Sequence, residues 1–191
     1  MKFREDQYYI EQVLKGDTAA YRYLVDKHKD LVFTIVRKIV NRAEIAEEVA
    51  QDVFVKAYQK LPDFQGTAKF STWLYRIAYN AAISYTRKKR IEFLSTEEQQ
   101  IENHTEDEMP MGIMGLSVNE QRELIQNALS SLPQTDTLIL TLFYFHEKGL
   151  GEIGEIIGMT PGNVKVKLHR LRKRLLKEMN DILGKDVKTI A

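Results

Sequence analysis

The stretch from Gly149 to Lys177 is the part of this chain whose residue types and spacing most clearly allow a chemistry, the binding of phosphates. Between Thr160 and Lys177 it holds seven Lys and Arg residues and no Asp or Glu. Cationic side chains on a helix neutralise phosphates and release their counterions, which supplies much of the affinity for DNA. A Lys and Arg cluster is more often only a solvated surface. The turn chemistry of the same stretch favours DNA binding over that interpretation.

Two short helices are predicted within this stretch. Isoleucines at residues 153–157 recur at the three-and-four spacing of an amphipathic helix, and Gly158 follows where the chain must leave that helix. Thr160 can accept a backbone N–H as an N-cap, and Pro161 suits the first turn of a helix. The sequence therefore predicts a helix-turn-helix whose second helix begins at Pro161.

The second helix of this pair divides into a buried stripe and cationic faces. Its apolar residues recur at helical spacing and predict burial of Val164, Leu168, Leu171 and Leu175. The cationic residues that remain on faces able to touch a partner are Lys165, Lys167, His169, Arg170, Arg172, Lys173 and Arg174.

Length and composition limit what the chain can be. Its 191 residues allow one large or two small domains, and an apolar content of 43% is enough to form cores. The chain has no cysteine, which excludes disulfides, thiolate metal sites and cysteine nucleophiles. No long apolar run exists, and the first residues are too charged for a secretory signal, so we expect a cytoplasmic protein.

Charge is segregated along the chain although the formal net charge is only +1. Residues 61–90 contain six basic side chains and one acidic side chain. Residues 91–120 contain eight acidic side chains and no Lys or Arg. Local fields of this kind, rather than the total charge, attract or repel partners.

Periodicity predicts an all-α fold of two small helical domains. The segment at 91–116 is acidic, lacks helical periodicity and contains a proline, so we expect it to be a flexible linker. No convincing strand pattern occurs. Helices are predicted at about 6–15, 18–41, 43–61 and 71–90 in the first domain, and at about 119–131 and 134–147 ahead of the helix-turn-helix in the second.

Aromatic and basic residues alternate between residues 64 and 90, a mixture that suits unstacked bases. A base stacked on an aromatic ring contributes about 1–3 kcal/mol, and neighbouring cations hold the backbone. One face of the predicted helix would hold Trp73, Arg76, Asn80, Ile83 and Arg87. The opposite face, with a packing role, would hold Phe70, Leu74, Ile77 and Ala81. For the tyrosines on this helix we favour packing, and for Asn80 and the basic end we favour nucleic acid.

The helix predicted at 43–61 has an acidic stripe that would repel DNA. It is either a solvated face or a docking site for a basic protein, and the residue pattern alone leaves both interpretations open. The residues of this acidic stripe are Glu47, Glu48, Gln51, Asp52 and Lys56.

Four ordered segments resemble the extracytoplasmic-function (ECF) group of bacterial sigma factors, members of the sigma-70 family. The segments are GDTAAYRYLVDKHKDLVFTIVRKIVN, AEEVAQDVFVKAYQKL, FQGTAKFSTWLYRIAYNAAISYTRKKR and LSSLPQTDTLILTLFYFHEKGLGEIGEIIGMTPGNVKVKLHRLRKRL. The resemblance implies a sigma region 2-like domain at 1–90, the linker at 91–116, a sigma region 4-like helix-turn-helix domain at 117–183 and a tail at 184–191. The chain departs from the family pattern at Gly154, where members usually carry alanine, and at Val166, where a small polar residue is common.

The resemblance also implies partners and site residues. The partners would be promoter DNA, both duplex and melted, an anti-sigma factor, and core RNA polymerase through the clamp coiled coil of its largest subunit and its flap. The acidic stripe would bind the clamp. Single-stranded DNA of the minus-ten element would contact Phe64, Gly66, Lys69, Phe70, Trp73, Arg76, Asn80, Arg87 and Lys88. The duplex minus-thirty-five element would contact Thr160, Asn163, Lys165, Val166, Lys167, His169, Arg170, Arg172 and Lys173.

The expected function is therefore that of a promoter-specificity subunit without catalytic activity, cofactor or metal. An alternative is a helix-turn-helix regulator that binds a two-fold duplex operator as a dimer, without polymerase. An enzyme finds little support in the residues. The histidines are scattered without metal spacing, and neither a phosphate-cradling glycine loop nor a nucleophile motif occurs.

Overall fold

The structure is a computed structural model that describes residues 2–91 and 116–189. The predicted acidic linker lies almost entirely outside these residues. Within the two described ranges the chain forms α-helices joined by turns and contains no strand, which confirms the predicted all-α class. No helix in the described ranges has the length and apolar character needed to cross a membrane. The helices are α1 (Lys2–Leu14), α2 (Ala20–Val40), α3 (Ala43–Lys60), α4 (Phe70–Ile91), α5 (Val118–Ser130), α6 (Gln134–Tyr144), α7 (Leu150–Ile157) and α8 (Pro161–Thr189).

Contacts between helices divide the chain into two compact units. The first unit contains α1 to α4 together with α7, and the second contains α5, α6 and α8 from Gly162 onward. The second domain predicted from the sequence, at 117–183, is one continuous segment and therefore includes α7. Helix α7 packs against α4 within the first unit.

The core of the first unit lies where α4 packs against α2 and α3. The predicted core face of α4 is confirmed at Phe70 and Leu74, whereas Ile77 and Ala81 are only partly buried. Ala78 and Ala82 are buried in their place because α4 packs against three helices, α2, α3 and α7, which broadens and rotates the covered face. The other fully covered side chains of this core include Leu24, Val32, Ile35, Val36, Val53 and Ala57.

The second unit is assembled around α6 and the long helix α8. Ser117 caps α5 in a reciprocal capping box: its backbone N–H donates to Oε2 of Glu120 at 2.7 Å, and the Glu120 backbone N–H donates to the Ser117 hydroxyl oxygen. Leu124 and Ala128 of α5 pack on Met179 of α8. Helix α6 has a nearly continuous apolar run, and its residues from 136 to 142 are all buried.

The turn before α8 adopts the predicted geometry. Gly158 has a left-handed backbone with φ of 76°, and α8 begins at Pro161, so both predictions are confirmed. The Met159 backbone N–H donates to the Gly154 carbonyl oxygen at 2.8 Å, which brings the returning chain onto α7. A Cβ atom placed on Gly154 would overlap the Met159 carbonyl oxygen and lie 3.6 Å from the Pro161 nitrogen. This close approach explains why glycine occupies position 154.

We predict that Gly154→Ala destabilises the protein by about 1–3 kcal/mol, because the new methyl group meets backbone that cannot rotate away. Alanine is otherwise the better helix residue by about 1 kcal/mol, so helix propensity alone would predict that this substitution stabilises the protein. Urea unfolding followed by circular dichroism measures the change. Gly151→Ala is the matched control in α7, because no atom lies within 4 Å of its added Cβ. Equal stabilities of the two variants would show that the turn relaxes without cost.

Candidate nucleic-acid interface

An aromatic cluster forms the start of α4 and the loop before it. The ring centroids of Phe64 and Trp73 are 5.2 Å apart, and Phe70 lies 5.8 Å from Phe64 and 5.7 Å from Trp73. Phe70 is buried, whereas Phe64 and Trp73 are half-buried. Phe70 therefore supports the cluster from below, and the other two rings are the ones that can offer a face to a base.

A buried polar network fixes this cluster from beneath. His28 of α2 contacts the Tyr75 hydroxyl through Nδ1 at 2.9 Å and Asp6 Oδ2 through Nε2 at 3.2 Å. Its ring also lies edge-on to Phe70, at a centroid distance of 5.7 Å. Burial raises the pKa of Tyr75 above its usual range, so the hydroxyl stays neutral and able to donate. The predicted packing role of Tyr75 is thus confirmed.

Asp6 keeps its charge within this network. Burial by itself would raise the pKa of Asp6, but hydrogen bonds to His28 and Lys27 outweigh it and leave the pKa below its usual range. The Lys27 ammonium lies 2.8 Å from Asp6 Oδ1. Helices α1 and α2 are therefore joined by a charged contact directly behind the loop.

A small pocket opens between α1 and the loop that precedes α4. Gly66 lines it with a left-handed backbone, φ 69°, which lets the loop turn sharply. Asn80, a predicted contact for single-stranded DNA, is exposed and lies ten residues beyond Phe70 on α4, about 15 Å along the helix axis. The sequence analysis did not predict that α1 lines this pocket. The loop lies more than fifty positions away in the chain, and no local sequence pattern connects it with α1. The lining residues are Asp6, Gln7, Ile10, Phe64, Gly66, Ala68 and Phe70.

The predicted outward face of α4 is open to solvent. Arg76, Asn80 and Arg87 are exposed, and Trp73 and Ile83 are half-buried. The side chain of Lys88, a predicted contact, lies outside the described residues. The face offers an aromatic ring, two guanidinium groups and an amide on one side of a single helix.

Lys69 of the loop already has an acidic partner in the first unit. Its ammonium lies 2.9 Å from Oε1 of Glu152 in α7, and Oε2 of the same Glu152 accepts from the Gly149 backbone N–H at 3.2 Å. Half of the Lys69 side chain is exposed. Solvent-exposed ion pairs contribute at most about 1 kcal/mol, so a phosphate can compete for Lys69.

The acidic stripe of α3 is fully exposed, as its residue types predicted. An apolar residue that the sequence reasoning missed lies beside it: Val55 is 56% exposed, one turn beyond Asp52. Tyr58 follows and is also exposed. An apolar side chain bordered by charged residues has the same arrangement as the apolar centre and polar rim of a protein interface.

Helix α8 separates its two faces as predicted. Val164, Leu168 and Leu171 are buried and Leu175 is partly buried, which confirms the apolar stripe. Lys167 and Lys173 are half-buried. The remaining predicted duplex contacts are exposed and comprise Thr160, Asn163, Lys165, Val166, His169, Arg170 and Arg172.

Two of these cations have partners on or beside α6. The Lys167 ammonium lies 2.6 Å from Oδ1 of Asp136, whose side chain is only 12% exposed. The Arg172 guanidinium lies over the Tyr144 ring, 5.8 Å from its centroid. Asp136 was missed from the sequence, because a single acidic residue in the first turn of α6 is ordinary helix chemistry. Lys167 thus fastens α8 to α6 within the second unit.

We predict that Lys167→Met and Asp136→Asn each lower the free energy of unfolding by about 1–3 kcal/mol, because each leaves a largely buried polar group without its partner. The double variant should lose less than the sum, since the second change removes the group that the first left unpaired. Urea unfolding of the four proteins gives the coupling energy. Lys165→Met, on an exposed position of the same helix, should change stability by less than about 0.5 kcal/mol. If the changes in unfolding free energy of the two single variants add strictly in the double variant, the contact does not hold α8.

In the described residues, no group of three or more His, Cys, Asp or Glu side chains is arranged to hold a metal ion. The candidate functional surfaces among the described residues are faces of helices and the small pocket beside the loop.

Comparison with known proteins identifies the family of this chain. Residues 24–91 match the family model of sigma-70 region 2, and residues 122–175 match that of sigma-70 region 4. The ECF RNA polymerase sigma factor SigW of Bacillus subtilis is 35% identical over 179 residues, which cover 91% of this chain and 96% of SigW. This chain belongs to the ECF group of sigma factors.

Solved structures agree with the fold of this sigma factor. CnrH, in complex with the cytosolic domain of CnrY, superimposes with a TM-score of 0.63 at 20% identity, over 95% of this chain and 99% of CnrH. The sigma factor RpoE of Bartonella quintana, in complex with the anti-sigma factor NepR, gives a TM-score of 0.61 at 18% identity, over 83% of this chain and 96% of RpoE. This chain therefore shares its helical fold with both structures.

The alternative of a dimeric regulator that binds duplex operators without polymerase is not favoured. The relationship to SigW extends over nearly the whole chain, including the first unit that such a regulator would not need.

Proposed function

We propose that this sigma factor is the promoter-specificity subunit of RNA polymerase and that its two units bind different forms of the promoter DNA, one melted and the other duplex. The first unit binds the melted minus-ten element, and α8 binds the duplex minus-thirty-five element. The observation that supports this division is the presence of two separate faces of different chemistry. One combines aromatic rings with an amide and cations, and the other is a cationic helix face with a buried apolar stripe behind it.

Promoter opening would be driven by interactions that only unpaired bases can make. A base in a duplex is stacked on its neighbours, whereas a base released from the duplex can stack on Phe64 or Trp73. Because the rigid ring of Phe70 supports both, little ordering of the protein is needed when a base arrives. Each base captured in this way shifts the equilibrium toward the melted promoter.

Helix α8 would contact the upstream element before the DNA opens. Lys165 is exposed and suits a phosphate contact that sets the register of the helix. Arg170 and His169 are exposed on the same helix and suit the edge of a guanine. Lys167 contributes differently, because it holds α8 against Asp136.

The acidic stripe of α3 would bind core polymerase. Its exposed carboxylates would pair with a basic surface on the clamp coiled coil, and Val55 would add apolar contact inside that charged border. We further propose that the protein works in the cytoplasm beside polymerase, catalyses no reaction of its own, contacts the flap of polymerase as well as the clamp, and is held inactive by an anti-sigma factor.

Run-off transcription with core polymerase tests the division between the two faces. We expect Asn80→Ala to lower transcription from a closed duplex promoter by about 2–12-fold, the effect of one lost hydrogen bond. A template with the minus-ten region already unpaired should restore most of that loss, since the cost of opening is removed. Arg170→Ala should lower transcription on both templates, because the upstream element is duplex in each. Asn127→Ala, an exposed asparagine of α5, is the matched control. Equal defects of Asn80→Ala on both templates would contradict the assignment of α4 to melted DNA.

Charge reversal tests the docking role of α3. We expect Glu48→Lys to weaken the binding of core polymerase at least tenfold, because a like charge then faces the basic partner. Fluorescence titration of labelled protein with core polymerase measures the affinity at low and at moderate salt. Asp30→Lys, on an exposed position of α2, provides the same change in net charge away from the stripe. Similar weakening by both substitutions would show that total charge, and not this stripe, controls docking.

A further inference from the structure

Val166 is an apolar side chain in the middle of the cationic face of α8. It is 50% exposed, whereas Val164 and Leu168, two residues away on either side, are fully buried. Residues three and four apart share a helix face, so the neighbours of Val166 are Asn163, His169 and Arg170, all of them exposed. Val166 thus lies on the side of α8 opposite the core.

Neither packing nor helix propensity accounts for valine at this position. Its side chain fills no core space, and a β-branched residue loses side-chain freedom in a helix that a small or straight-chain residue would keep. A polar residue would be better solvated there. What distinguishes Val166 from other exposed apolar residues is its place at the centre of a cationic face, where it is able to contact an apolar group of the molecule that this face binds.

The location of Val166 suits a DNA base edge. It is the sixth residue of α8, so it lies about 7.5 Å along the axis from Pro161, within the N-terminal turns that enter the major groove in helix-turn-helix complexes. Lys167 does not compete for this space, because its ammonium is held by Asp136. Lys165, which is exposed in the same turn, suits a phosphate, so Val166 is the apolar side chain of this turn that is open to a base edge.

Thymine presents the only apolar group on the major-groove edge of the four bases, its C5-methyl. We propose that Val166 contacts the C5-methyl group of a thymine in the upstream duplex element and thereby gives this sigma factor a thymine preference at one position. The inference rests on the proposed function, since it takes α8 to be the helix that reads that element. It adds a specificity-determining residue that acts by apolar contact, beside the hydrogen-bonding residues of the same face.

Replacement of thymine by uracil tests the contact, because uracil lacks the methyl group and keeps every hydrogen-bonding atom. An upstream element is first selected by holoenzyme from promoters randomised in that region. Each thymine of the selected element, on either strand, is then replaced singly by uracil, and the affinity of holoenzyme for each promoter is measured by competition. For the unchanged protein we expect one replacement to weaken binding by about 3–10-fold, the effect of about one methyl group.

Variants at two exposed valines identify the side chain responsible. Val166→Ala should remove the uracil effect at that position and leave the other replacements unchanged, since alanine does not reach the methyl group. Val166→Thr retains one branched methyl and should keep part of the effect. Both changes are at an exposed helix position, where folding is little affected. Val118→Ala, at a valine of α5 that is 71% exposed, is the matched control and should leave the effect of every uracil replacement on affinity unchanged.

The outcomes separate this inference from the function on which it rests. Uracil effects that are the same in Val166→Ala as in the unchanged protein, or a selected element without any thymine, would overturn the methyl contact and leave the proposed function standing. Selection of no preferred element at all would count against the proposed function itself. Weaker assembly of Val166→Ala with core polymerase, with an unchanged uracil pattern, would assign the valine to a protein contact and overturn the inference.

Discussion

The helical period of 3.6 residues is the constraint on which the rest of this structure depends. A helix that buries one stripe must expose the opposite side, and in this sigma factor those opposite sides are the surfaces proposed to bind DNA and polymerase. In α8 the buried stripe that includes Leu168 positions the cationic face, and in α4 the buried stripe that includes Leu74 positions Arg76 and Asn80. The residues that stabilise the fold and the residues proposed for recognition therefore lie on opposite faces of the same helices.

Buried polar contacts set how these helices lie within each unit. Apolar packing tolerates small rotations, whereas a charged group removed from water needs its partner at a defined place. The Asp136 carboxylate requires the Lys167 ammonium and so fixes α8 against α6. His28, held between Asp6 and Tyr75, does the same for the wall beneath the aromatic loop. In both units the polar contact lies directly behind the surface that is proposed to meet DNA.

Charge segregation allows one nearly neutral chain to bind partners of opposite charge. The acidic stripe of α3 and the cationic faces of α4 and α8 belong to separate helices, so each can attract its own partner. Each kind of surface also has an exposed apolar residue. Val55 lies beside the acidic stripe and Val166 within the cationic face, and each offers a contact that charge alone cannot supply. Membership of the ECF group is consistent with this arrangement, because such a protein must meet both polymerase and promoter.

The sequence by itself determined the helices, the turn before α8 and which faces are apolar. Helix boundaries were predicted to within about four residues, and Gly158 and Pro161 were predicted in their observed roles, because these features depend on residues close together in the chain. The exposed residues of α3 and α8 followed from the same periodicity. Tertiary structure decided the features that depend on distant residues. It grouped α7 with α4, placed Asp6 and Gln7 of α1 beside the loop, and buried Ala78 and Ala82. It also paired Lys167 with Asp136, which no local pattern indicates, since a side chain's partner is chosen by how whole helices pack.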